Sequence, residues 1–147
     1  MVDVNLMDFK DDVERLLAYL PWLEQKQGAT VSKIYDGNGV GETTVTFPVY
    51  DTMLLNFVNE AAKTKLMDKN YMYAYSGYSI RTVEDEKRAI EEATVKDAQV
   101  LLGILSKYVM GGMTKGVLWS RAVEEGIFYL VLKKMKALLD IWDAPLA

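Results

Sequence analysis

Histidine and cysteine are both absent from the sequence. Without cysteine the chain has no disulfide and no thiolate chemistry, which fits a reducing compartment. Without histidine it has no imidazole base, no Ser–His dyad and no imidazole metal ligand. Because protein zinc sites draw mainly on these two residue types, the usual zinc ligand sets are missing as well. The two absences together exclude a large share of enzyme mechanisms.

Long apolar runs are also absent. The longest uninterrupted run spans Ile127 to Leu132 and ends at Lys133, whereas a helix needs about 20 apolar residues to cross a bilayer core. The first residues, MVDVNLMDF, lack the basic start and the apolar stretch of a signal peptide. We therefore expect a cytoplasmic protein with no membrane partner.

What the chain does contain is typical of a globular protein. Its 147 residues are 50% hydrophobic and 26% charged, which suits one domain with its own core. We expect a single globular domain over residues 1–147. The net charge of −4 disfavours nucleic acid as a partner, because binding to phosphates usually requires a positive field.

Apolar residues at helical spacing predict the first two helical regions. One covers Asn5–Glu24 and is interrupted near Tyr19–Leu20, because Pro21 lacks a backbone donor and clashes with the preceding turn. The other follows Asp51, whose carboxylate can cap it. Its predicted buried face consists of Leu54, Phe57, Val58 and Ala61.

A β-hairpin is predicted near residues 30–49. The segments Thr30–Tyr35 and Thr43–Val49 are rich in β-branched and aromatic residues, and Asp36-Gly37-Asn38-Gly39 between them favours a turn. The loop contains Gly-x-Gly but lacks the third glycine of a dinucleotide fingerprint. It also lacks the later acidic ligands of a calcium loop. We therefore expect a plain turn, and neither a cofactor nor a metal.

The pattern Thr-x-x-Asp occurs at Thr82–Asp85 and at Thr94–Asp97 and is typical of a capping box. The first opens a lightly packed surface helix whose charged run, Glu84–Arg88, is interpreted as a solvated face. The second opens a core helix that stops at Gly111-Gly112.

The stretch Lys115–Trp142 carries the most large apolar residues. The apolar faces before and after Gly126 lie about 180° apart at about 100° per residue, so a break at Gly126 is predicted. The second half, Ile127–Trp142, is then a core-filling or dimer-forming helix. Together these patterns predict a mainly α (α+β) fold, with about five or six helices packed around the C-terminal helix and one small β-hairpin near residues 30–49.

The candidate binding residues are four tyrosines and an arginine: Tyr71, Tyr73, Tyr75, Tyr78 and Arg81. Closely spaced tyrosines can form a stacking platform or a contact surface for a partner. The favoured interpretation is structural: they pack their rings on the core and expose their hydroxyls to water. Alternating tyrosines are also compatible with a short irregular strand.

Two other function classes remain open. An enzyme could combine one of these tyrosines with Arg81, or Glu124 and Glu125 with Arg121. A nucleic-acid-binding protein could use the cluster of Lys133, Lys134 and Lys136, which Asp140 and Asp143 balance.

The features that carry a resemblance are spread along the chain: Leu16-Leu17-Ala18-Tyr19-Leu20-Pro21, Phe47-Pro48-Val49-Tyr50 before the helix with Phe57, Leu101-Leu102, Gly116, Glu125-Gly126 and Leu132. In these features the chain resembles a family of small uncharacterised bacterial proteins classed as a domain of unknown function. In that family an Arg and a Phe precede the position of Gly116, where this chain has Met113, Thr114 and Lys115. The resemblance implies a bacterial or phage-related origin and a mainly helical fold, and it implies no particular reaction.

These observations favour a small binding or interaction module without catalytic activity. Its expected partner is another protein or a second copy of the chain, and the sequence identifies no small-molecule ligand. The enzyme and the nucleic-acid-associated protein are the alternatives.

Overall fold

The computed structural model describes residues 5–29, 32–35 and 47–143. Eight α-helices lie within these ranges, with short 3₁₀ turns at Leu6–Phe9 and Val95–Asp97. The helices are α1 (Lys10–Leu17), α2 (Leu20–Gln25), α3 (Thr52–Ala62), α4 (Tyr71–Gly77), α5 (Val83–Glu92), α6 (Ala98–Gly111), α7 (Val117–Glu124) and α8 (Ile127–Asp143). None of them is both long enough and apolar enough to span a bilayer.

The predicted α+β fold is corrected to an α fold. The described residues contain eight helices instead of five or six. The hairpin predicted near residues 30–49 is not a main element of the fold, because the described extended structure amounts to two four-residue strands, β1 (Ser32–Tyr35) and β2 (Phe47–Tyr50). They pair antiparallel, with Ser32 opposite Tyr50 and Tyr35 opposite Phe47. The predicted turn Asp36–Gly39 lies outside the described residues. A pair this short cannot supply a core layer of its own.

The predicted helix ends are confirmed where a local side chain determines them. Asn5 accepts a hydrogen bond from the Met7 amide at 3.0 Å, and Asp51 accepts one from the Met53 amide at 2.8 Å. Both predicted capping boxes, at Thr82 and Thr94, are formed. Pro21 lies in the first turn of α2, where its missing donor is tolerated.

The predicted break at Gly126 is confirmed. Helix α7 ends at Glu124 and α8 begins at Ile127, and Gly126 between them has φ +79°. A residue with a Cβ atom adopts this left-handed conformation only at a cost, so glycine is the residue that allows the chain to change direction here.

The core lies around two central helices, α6 and α8. Helix α8 contacts α1, α2, α5, α6 and α7, which are five of the other seven helices described. Helix α6 is buried on nearly all sides and contacts α3, α4, α5, α7 and α8. The Phe128 ring of α8 packs against aromatic rings of α3 and α6. Its centroid lies 4.9 Å from that of Phe57 and 6.3 Å from that of Tyr108.

Candidate functional site

The tyrosine-rich segment forms a helix, α4, and the interpretation as a short irregular strand is wrong. Alternating tyrosines suit a strand, but strand preference depends on context, and here the segment packs on α6. Gly103 of α6 permits a close approach, because a Cβ atom at that position would lie 2.8 Å from the Cβ atom of Ala74. The contact with α6 therefore positions α4.

The helix separates the five predicted site residues. Tyr75 is 6% exposed, and Tyr71 is half-buried. Tyr73 and Tyr78 are 71% and 43% exposed, and the Tyr78 hydroxyl donates to Asp97 Oδ1 at 3.0 Å. The Arg81 side chain is exposed, while its backbone N–H donates to Asp85 at 3.0 Å. The structure therefore does not bring the five residues together into one site.

A buried carboxylate lies behind α4. Glu86 of α5 is 1% exposed, and its Oε1 atom accepts a hydrogen bond from the Tyr108 hydroxyl at 2.5 Å. Its Oε2 atom accepts a very short hydrogen bond from the Tyr75 hydroxyl and one from Lys107 Nζ at 3.3 Å. The ammonium group also lies 4.7 Å from the centroid of the Tyr75 ring. Both carboxylate oxygens of Glu86 thus accept hydrogen bonds, as a buried carboxylate requires.

This arrangement keeps both phenols protonated. Burial raises the pKa of Tyr75 and of Tyr108 far above the ordinary value, and the hydrogen bond that each donates to Glu86 raises it further. A phenol whose proton is committed to a carboxylate is a poor general base. The cluster is therefore suited to holding Tyr75 and Lys107 in place.

Sequence reasoning missed Glu86, because the run Glu84–Arg88 was interpreted as a solvated face. A signal was present, since Val83, Glu86 and Ile90 follow helical spacing and so share one side of α5. Within the same run, Arg88 forms an ion pair with Asp85.

Two grooves flank α4 on opposite faces. The tyrosine groove, lined by Phe9, Met67, Tyr73, Tyr78 and Leu102 among others, has a volume of about 720 Å³. The cation groove, lined by Met72, Tyr75, Ser76, Ser79, Ile80, Arg81 and Lys107, has a volume of about 450 Å³. Both volumes fall in the range of ligand or anchor-residue sites.

Charged residues of the other two predicted clusters form ion pairs within the protein. Glu125 forms an ion pair with Lys87 at 3.4 Å. Lys136 pairs with Asp140 at 2.8 Å. Within the described ranges, no group of three or more acidic residues is arranged to hold a metal ion.

The remaining two lysines of the C-terminal cluster are also engaged. Lys134 Nζ donates to the Glu91 carbonyl at 2.7 Å. Lys133 Nζ lies over the Tyr129 ring, 5.4 Å from its centroid.

Comparisons of the chain with family models, with curated proteins and with solved structures found no match. The resemblance to the family of small bacterial proteins stays a prediction.

Proposed function

We propose that the protein is a cytoplasmic binding module without catalytic activity, and that it docks an apolar segment of another protein in the tyrosine groove. The observation that carries the proposal is the exposure of large side chains around this groove. Tyr73 is 71% exposed and Tyr78 is 43% exposed. On a chain of net charge −4, such a surface favours a protein partner over nucleic acid.

The composition of the groove supports this proposal. Its lining includes the apolar side chains of Phe9, Met67 and Leu102, and polar residues such as Lys65, Asp68, Asn70 and Gln99 also border it. Protein interfaces have this arrangement, an apolar centre with a polar rim. Tyrosine is enriched among the residues that dominate binding energy, because it offers a large rigid ring at a small cost in entropy.

The core-facing side of the C-terminal helix, which the sequence offers as a candidate dimer surface, is covered by other helices of the same chain. Its core-facing residues are at most 7% exposed, because α1, α2, α5, α6 and α7 cover them: Ile127, Phe128, Val131, Leu132, Met135, Leu138 and Leu139. Leu130 is partly buried, and Ile141 is 69% exposed. This leaves the groove beside α4 as the better docking surface. The buried hydrogen bonds of Tyr75 and Tyr108 to Glu86 support a role other than catalysis.

Site-specific photo-crosslinking in cells tests the proposal. A photoreactive phenylalanine analogue replaces Tyr73 in one variant and Ile141 in another, two positions that are 71% and 69% exposed. We expect a discrete adduct with one partner protein from position 73 and none from position 141. Adding Tyr78→Ser should remove the adduct, whereas adding Met113→Ser, at a position that is 51% exposed and does not line the groove, should preserve it.

The crosslinked protein then identifies a segment for direct measurement. With that segment made as a peptide, Tyr73→Ser should weaken binding by about tenfold or more, as a central tyrosine of an interface does. Equal adducts from both positions, an adduct that survives Tyr78→Ser, or an adduct of two copies of this chain would each contradict the proposal.

A further inference from the structure

The cation groove has a charge unlike that of the protein as a whole. Two of its lining residues, Arg81 and Lys107, are cationic, and none of its described lining residues is acidic. In the part of the chain that the structure describes, the Arg81 guanidinium has no hydrogen bond or ion pair. The chain as a whole has a net charge of −4, so the positive charge of this groove is a local feature.

The two cations differ in how far they are neutralised. Lys107 Nζ lies 3.3 Å from Oε2 of the buried Glu86, so most of its charge is balanced from behind the groove. The same contact, with the Tyr75 ring 4.7 Å below, fixes the position of the ammonium group. Among the described lining residues, Arg81 is therefore the cation without an acidic partner. Lys107 contributes hydrogen-bond donors from an ammonium group whose position is fixed by Glu86 and Tyr75.

Hydroxyl groups and apolar side chains complete the groove. Ser76 and Ser79 are exposed along its lining. Ser79 adopts a left-handed backbone conformation with φ 55°, which few residues other than glycine adopt. Met72, which is 60% exposed, contributes most of the apolar surface, whereas Ile80 and Tyr75 line the groove but are each only 6% exposed.

We propose that the cation groove binds a small organic anion that joins a single carboxylate to an apolar body. A guanidinium group matches a carboxylate through two parallel hydrogen bonds, and one unmatched positive charge suits one negative charge. The apolar body lies against Met72 and Ile80. This site is separate from the tyrosine groove, so the inference does not depend on the docking of a protein partner.

Titration by ¹H–¹⁵N NMR tests the proposal with a matched pair of probes, benzoate and benzamide. The two probes have similar size and shape, and only benzoate is charged. We expect benzoate at millimolar concentrations to shift the amide signals of Ser79, Arg81 and Lys107. Benzamide should bind at least about tenfold more weakly, because it cannot form the charge-assisted pair.

Variants distinguish binding of benzoate in the cation groove from nonspecific attraction of an anion to positive charge elsewhere on the protein. Arg81→Gln should weaken benzoate binding by about tenfold, whereas Arg15→Gln, which removes an equal charge from a 54% exposed side chain on α1, should leave it unchanged. Met72→Ser should weaken binding of both probes. An unchanged amide spectrum with benzoate, equal affinity for both probes, or equal losses in the two arginine variants would each overturn the proposal. The spectra of the free variants also show whether each is folded.

Discussion

Helices α4 and α8 differ in how many of their large side chains are buried, although Ile141 near the end of α8 is 69% exposed. All seven apolar residues of α8 from Ile127 to Leu139 that face the core are at most 7% exposed, because five helices surround it. Helix α4 makes its main contact with α6 alone and leaves Met72 and Tyr73 60% and 71% exposed. A helix rich in apolar residues is therefore not by itself a contact surface, since the number of neighbouring helices decides what remains exposed.

The largest expected effect is a difference in stability between the two helices. Phe128→Ala in α8 should lower the free energy of unfolding by about 3–5 kcal/mol, because it leaves a cavity beside Phe57 and Tyr108. Tyr73→Ala in α4 should change it by less than about 0.5 kcal/mol. Urea unfolding followed by circular dichroism measures both. If Tyr73→Ala lowered the free energy of unfolding as much as Phe128→Ala, α4 and α8 would not differ in burial as described.

A smaller effect should come from the contact that positions α4. Gly103→Ala places a methyl group 2.8 Å from the Cβ atom of Ala74 and should destabilise the protein by about 1–3 kcal/mol, since the two helices must separate. Gly77→Ala is the control, because the added Cβ atom meets no atom within 4 Å. It should be neutral or slightly stabilising. If Gly103→Ala left the urea midpoint unchanged, α4 would not be held against α6 as described.

The inner and outer faces of α4 should also differ in their response to alkaline pH. The pKa of Tyr75 is raised in the folded protein, so above about pH 10 the unfolded state loses this proton first and stability falls as pH rises. One such tyrosine lowers the free energy of unfolding by at most about 1.4 kcal/mol per pH unit. Tyr75→Phe should remove this contribution to the pH dependence. Urea midpoints between pH 9 and 11 measure the slopes.

The matched control is Tyr73→Phe, on the outer face of the same helix. This variant leaves the hydrogen bond from the Tyr75 hydroxyl to Glu86 in place, so it should keep the wild-type dependence of stability on pH. Identical slopes for the two variants would mean that Tyr75 does not donate its proton to a buried carboxylate.

The features that sequence predicted correctly depend on neighbours in the chain. The caps at Asp51 and Thr82 and the left-handed Gly126 are determined by a few adjacent residues, and the buried face of α3 follows from spacing alone. The position of α4 depends on its close approach to Gly103 of α6, more than twenty residues away in the chain. Glu86 could not be identified as buried because its partners come from α4 and α6, which only the fold brings together. Sequence named Arg81 as a candidate, but Lys107 beside it required the structure.

Methionine oxidation tests the central contrast between α4 and α8 most directly, because each helix carries one methionine with a described environment. Met72 in α4 is 60% exposed and Met135 in α8 is 0% exposed. Under native conditions hydrogen peroxide reaches exposed thioethers first, and peptide mass spectrometry gives the rate for each residue. Met72 should be oxidised at least about tenfold faster than Met135, with a rate close to that of Met113, which is 51% exposed. Equal rates for Met72 and Met135 in the folded protein would contradict the account.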